Sequence, residues 1–89
     1  MLVLDTSAAS AVMHGIEPAL ARLRRERPED VVLVAPVAAE IRFGLERLPA
    51  RSRRRRLLEA EYARLRSVVR HEDWTEEAAH EFGRQKAHL

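Results

Sequence analysis

The chain opens on three apolar residues, Leu2-Val3-Leu4, which give way to one carboxylate, Asp5, and two hydroxyl side chains, Thr6 and Ser7. A short apolar run that ends in an acid and leads into a helix-like stretch predicts a buried parallel strand delivering Asp5 to its carboxyl end. Residues 31–35, Val-Val-Leu-Val-Ala, predict a second strand of the same buried type, and residues 67–70, Ser-Val-Val-Arg, a weaker third. Between the first two, Ile16, Ala19, Leu20 and Leu23 recur at i, i+3, i+4 and i+7, while Arg22, Arg24, Arg25 and Arg27 face elsewhere. That spacing predicts an amphipathic helix opened near Pro18 and closed before Pro28. A short helix over residues 7–13 precedes it, and Gly15 separates the two.

After the second strand, Pro36 ends the extended run, and Val37, Ile41, Leu45 and Leu48 form one helical stripe with Glu40 and Gly44 on its flank. Pro49 closes that helix. A run of arginines follows, Arg51-Ser52-Arg53-Arg54-Arg55-Arg56, and leads into a helix whose buried stripe is Leu58, Tyr62 and Leu65. Arg55 and Glu59, four apart, are placed to pair on its outer face. The last helix starts near Trp74, capped by Thr75 or Asp73, with Ala78, Ala79, Phe82 and Leu89 facing inward. The order β-α-α-β-α-α-β-α predicts an α/β fold: a parallel sheet with right-handed crossovers, flanked by helices in three layers.

At 89 residues the chain is one small domain, and its hydrophobic fraction of 46% is that of a globular protein. No cysteine is present, which removes disulfides and thiolate metal sites and suits a reducing cytoplasm. The first apolar run is too short for a signal-peptide core, and charges interrupt every later one, so neither secretion nor a membrane span is expected. Net charge is only +2, yet 15 of the 16 cations are arginine. Arginine suits bidentate contact with phosphate, which marks Arg51, Arg53, Arg54, Arg55 and Arg56 as candidates for binding nucleic acid or an acidic partner. The plainer alternative is a solvated charged face.

Candidate chemistry centres on two acids. Asp5 ends the first strand, and Glu40 lies one turn into the helix after the second. With those strands adjacent and parallel, both acids stand above one carboxyl edge, where open α/β sheets bind ligands. Two carboxylates in one cleft repel unless a hard cation such as Mg²⁺ or Mn²⁺ lies between them. Taken singly, Asp5 reads as a helix N-cap and Glu40 as a solvated helix residue. Thr6 and Ser7 are placed to hold Asp5 or a metal-bound water, or else to cap the next helix. A phosphatase of the haloacid-dehalogenase kind also begins on a strand ending in aspartate, but it needs a second aspartate where this chain has Ser7. No glycine-rich phosphate loop is present, and His14, His71, His80 and His88 form no motif.

Leu-Asp-Thr-Ser at 4–7, Ala-Pro-Val-Ala-Ala-Glu-Ile-Arg-Phe-Gly at 35–44 and Trp-Thr-Glu-Glu-Ala-Ala at 74–79 together resemble PIN-domain proteins. Among these the likeness is strongest to the VapC-type ribonuclease toxins of toxin–antitoxin pairs. The resemblance spans the chain in order and spacing, and it implies a PIN-like (Rossmann-like) three-layer fold. It also implies a Mg²⁺- or Mn²⁺-dependent endoribonuclease, cytoplasmic, silenced by a cognate VapB-like antitoxin. Asp5 and Glu40 match the family's first two metal-binding acids, and Ser7 the polar position after the first. In such enzymes the metal activates water for attack on a phosphodiester and neutralises charge on the phosphate.

The family's remaining acids have no match within 1–89; Glu76, Glu77 and Glu81 belong to the preceding helix. The resemblance therefore implies the N-terminal part of a single PIN-like domain, cut to about three strands. Its alternative function is a catalytically inactive remnant that binds an antitoxin or RNA. A first strand left at a bare sheet edge recruits another chain, so a homodimer or other oligomer is expected.

Overall fold

In the computed structural model, which describes residues 1–87, the Val-Val-Leu-Val run becomes β2 (Val31–Val34), and all four side chains are buried. Branched side chains favour extended backbone, and continuous apolarity suits a strand covered on both faces. β1 (Leu2–Val3) lies parallel on one side of it, with Leu2 opposite Val31 and Val3 opposite Val32. β3 (Arg70–Glu72) lies parallel on the other, with Val32 opposite Arg70 and Val34 opposite Glu72. The sheet order is β1-β2-β3, so β2 is central and β1 and β3 are its edges.

Among the described residues, five helices connect and cover this sheet: α1 (Thr6–Met13), α2 (Ala19–Arg24), α3 (Ala35–Glu46), α4 (Arg53–Val68) and α5 (Glu76–Lys86). A 3-10 turn, Pro28–Asp30, leads into β2. The molecule is thus an α/β protein with a small parallel sheet flanked by helices, in the element order expected. Gly15 takes a positive φ of 68°, which glycine adopts at little cost, and this turns the chain between α1 and α2. One core unites Val3, Leu4, Ala9, Met13 and all of β2 with Val37, Ile41 and Leu45 of α3 and Tyr62 and Leu65 of α4. Trp74 sets its ring edge-on to Phe82 of α5, with centroids 5.7 Å apart.

Several boundaries differ from expectation. Residues 67–68 belong to α4, and the third strand starts only at Arg70. Val69 is the C-cap of α4, with extended backbone and a buried side chain, and lies between the helix and the strand. Ile16 lies outside α2, which begins only after Pro18, and is 53% exposed. Ala35 joins α3 and not β2, while α3 stops at Glu46, short of Leu48, which is only partly buried. Thr75, not Asp73, caps α5, accepting the Ala78 N–H at 3.0 Å. The expected inward place of Leu89, and His88, fall outside the described residues.

The β1 edge is not bare: α5 packs beside it. The Gln85 side chain accepts the Val3 N–H at 3.1 Å and donates to the Met1 carbonyl at 2.6 Å. The edge that was expected to stand open is covered by the chain's own last helix.

Because Leu33 is 1% exposed in the central strand, Leu33→Ala should destabilise the fold by about 2–5 kcal/mol. Leu57→Ala, at a 57% exposed position of α4, should stay within about 0.5 kcal/mol. Urea unfolding midpoints at unchanged slope measure both.

Candidate functional site

Asp5 follows Leu4, whose N–H donates to the Val32 carbonyl and carries the β1–β2 ladder one residue further. The chain then turns into α1 with Asp5 as its N-cap: the extended backbone lets Oδ1 accept the Ala8 N–H at 2.6 Å. The positive end of the helix dipole favours a carboxylate in this place. Capping does not exhaust it, since an ionised carboxyl offers about four lone-pair positions and one N–H takes one. The half-buried Asp5 therefore caps α1 and keeps acceptor capacity to spare. Thr6 and Ser7 occupy the first turn of α1; neither is its cap.

Glu40 is exposed on α3, the helix that leaves the carboxyl end of β2. A helical rise of 1.5 Å per residue carries it roughly 9 Å past Val34. Since β1 and β2 are parallel neighbours and α1 packs on α3, both acids lie beyond the same edge of the sheet. Asp5 lines a groove of about 410 Å³ that also runs along β1 and against Phe82 and Gln85; Glu40 is not part of its wall. Among the described residues no three His, Cys, Asp or Glu side chains are grouped to hold a metal ion. Asp5 and Glu40 have the right chemistry for ligands to a hard cation, but the described residues alone do not build the centre.

The arginine run divides into two populations. Ser52 caps α4 by accepting the Arg55 N–H at 3.1 Å. Arg51, Arg53, Arg54 and Arg56 are exposed, and Arg53 and Arg54 line a shallow cleft with His14, Leu57 and Leu58. Arg55 departs from the expected exposed role: only 15% of its side chain is accessible. It turns toward α3 rather than outward, binding Glu46 at 2.9 Å, Glu59 at 3.2 Å and the Leu48 carbonyl at 3.2 Å. Arg42 of α3 closes a four-membered ring of charge, meeting Glu59 at 2.6 Å and Glu46 at 3.2 Å. Hydrogen bonds from Arg42 and then Arg55 hold the Glu59 carboxyl below its usual range, against a smaller upward push from burial. Two acids thus offset positive charge that opposes the dipole at the start of α4.

Comparison with protein-family models, with curated proteins and with solved structures gives no match. No helix among the described residues is long and apolar enough to cross a membrane. Two groups escaped the sequence patterns: Gln85 at the β1 edge, and the Arg42–Glu46 pair that completes the ring with Glu59. Arg42 and Glu46 stand four apart, a spacing that identifies the pair but not its partner helix.

Asp5→Ala should cost about 0.5–2 kcal/mol through loss of the cap. Asp5→Asn, which retains a capping oxygen, should unfold near the wild-type midpoint. Comparing their thermal unfolding separates the structural duty of Asp5 from any chemical one.

Glu59 supplies a pH test. Its carboxyl is held low in the folded state, so its stabilising effect is complete above the unfolded pKa and disappears as pH falls through the folded one. Glu59→Gln should therefore be less stable than wild type at neutral pH and converge with it in acid. Unfolding midpoints from pH 7 down to pH 3 show whether the two curves meet.

Proposed function

We propose that this chain is a PIN-like, VapC-type unit of a metal-dependent endoribonuclease, acting on RNA in the cytoplasm and restrained by a VapB-like antitoxin. Asp5 and Glu40 would be ligands to Mg²⁺ or Mn²⁺, with Thr6 and Ser7 beside them in the first turn of α1. The observation that carries this reading is the placement of both acids past the carboxyl ends of two adjacent parallel strands, the edge at which α/β sheets take their ligands. The residues that support the family resemblance sit at the structural landmarks such a site needs: the β1–α1 cap, the start of α3 and the cap of α5.

A second reading has one observation in its favour. It is a catalytically inactive unit that only binds RNA or an antitoxin. Exposed Arg51, Arg53, Arg54 and Arg56 supply the cationic surface such binding requires.

Mn²⁺ titration and cleavage of a labelled RNA by the 89-residue chain tell the readings apart. On the first, Mn²⁺ binds and cleavage follows, and Asp5→Asn and Glu40→Gln each abolish both while leaving the unfolding midpoint in place. RNA binding that persists without cleavage, and weakens when Arg53 and Arg54 become glutamine, establishes the second. Neither metal nor RNA binding would dismiss both.

A further inference from the structure

One face of α3 serves the core, and the opposite face is left to solvent. Val37, Ile41 and Leu45 are buried, whereas Glu40, Phe43, Gly44 and Arg47 are exposed. On a helix these four are neighbours: Phe43 and Gly44 stand three and four residues on from Glu40, and Arg47 four on from Phe43. The face therefore starts at an acid proposed as a metal ligand and runs on toward the C-terminal end of α3.

Three features of this face go unused by the fold. Phe43 is 54% exposed, so its ring adds little to the core. The Arg47 guanidinium lies over that ring, 5.5 Å from its centroid. Arg47 makes no ion pair among the described residues, and the adjacent Glu46 is taken by Arg42 and Arg55. Gly44, in the middle of α3, costs helix stability relative to alanine. Its φ is not positive, and nothing lies within 4 Å of where its side chain would stand, so neither backbone strain nor packing asks for glycine. Helical side chains lean back over the preceding turn. A larger residue at position 44 would fill the space beside Glu40.

We propose that Phe43 and Arg47 are the platform on which single-stranded RNA lies beside the acids. An unpaired base stacks on the Phe43 ring, a neighbouring phosphate meets the Arg47 guanidinium, and the bare backbone at Gly44 leaves the nucleotide room. Stacking on an aromatic ring requires a base splayed out of any duplex, which selects single strands. Every base has a π-face, so the platform holds the strand without choosing its sequence. Past α3 the exposed Arg51, Arg53, Arg54 and Arg56 continue the positive charge along the chain. A guanidinium without a carboxylate, set on an exposed ring, suits a polyanion that carries planar bases better than an apolar protein face. The platform rests on the nuclease reading of Asp5 and Glu40 and adds to it where the bases of the substrate go.

The probe is a fluorescent oligouridine, its binding to the full chain followed by anisotropy in metal-free buffer, where no cleavage interferes. Phe43→Ala and Phe43→Leu should each weaken binding about tenfold, the loss of one base stacked on an aromatic ring, whereas Phe43→Trp should keep the affinity. An abasic oligonucleotide should not distinguish Phe43→Ala from wild type. Arg47→Gln should lower the slope of log affinity against log salt by about 0.7. Gly44→Gln should raise the unfolding midpoint and yet weaken oligouridine binding, two effects that a purely structural role would not set against each other. Mn²⁺ titration should be unchanged in Phe43→Ala, since Asp5 and Glu40 are intact. Oligouridine binding that Phe43→Ala leaves in place overturns the platform while the nuclease reading stands. Failure of the wild type to bind oligouridine also overturns it, and Mn²⁺ binding and cleavage then judge the nuclease reading separately. Self-association in the ultracentrifuge that Phe43→Ala abolishes, with RNA binding untouched, would assign the face to a second copy.

Discussion

The constraint on which this structure depends is the burial of β2. Four apolar residues in a row cannot be hidden without also hiding their backbone, and a buried N–H or carbonyl must be paired. Both sides of β2 therefore need strands, and β1 and β3 supply them in parallel. Parallel neighbours cannot be joined by a tight turn, so each link has to be a crossover. α1 and α2 form the first crossover and α3 and α4 the second. Each crossover leaves from the carboxyl end of its strand, which is why the cap of α1 and the early turns of α3 come to one edge. The placement of Asp5 and Glu40 beyond one edge of the sheet is a product of strand pairing before it is a product of any chemistry between them.

A second constraint is the arginine content. Fifteen arginines in a small domain cannot all be indifferent to the fold, and Arg55 shows how one is drawn in. Its planar fork reaches two carboxylates and a carbonyl at once, which a lysine ammonium on a flexible stem would do less well. The ring it forms with Arg42, Glu46 and Glu59 fastens α3 to α4. The neighbouring arginines, with no such partners across the α3–α4 seam, keep their guanidinium groups available at the surface.

Much of this was legible in the amino-acid pattern, and the failures have physical causes. The Val31–Val34 run, the Val37–Ile41–Leu45 stripe and the Asp5 and Thr75 caps are local signals, readable because period and capping chemistry act within a few residues. Val68 and Val69 misled because two branched apolar residues look alike at a strand start and at the end of a helix; here Val68 closes α4 and Val69 is its extended cap. Ile16 misled because its spacing fits a helix that Pro18 prevents from extending backward. The adjacency of the strands that Asp5 and Glu40 follow was legible from the buried-type runs, whereas the interior place of Arg55 depended on Glu46, from another helix, and no spacing within α4 could announce it. Gln85 did leave a trace: it falls seven residues after Ala78 and three after Phe82, a polar side chain on an otherwise inward stripe. Such a residue signals a buried polar obligation, although not which one.

The edge-on contact between Trp74 and Phe82 has a consequence of another kind. Trp74 is the chain's single tryptophan, half exposed at the start of α5, and Phe82 forms part of the groove beside β1. An indole in that position is sensitive to the polarity and quenching groups around it, so its emission reports its contact with Phe82 of α5. The protein carries a built-in optical gauge of its own last helix, readable without a label and without altering a residue.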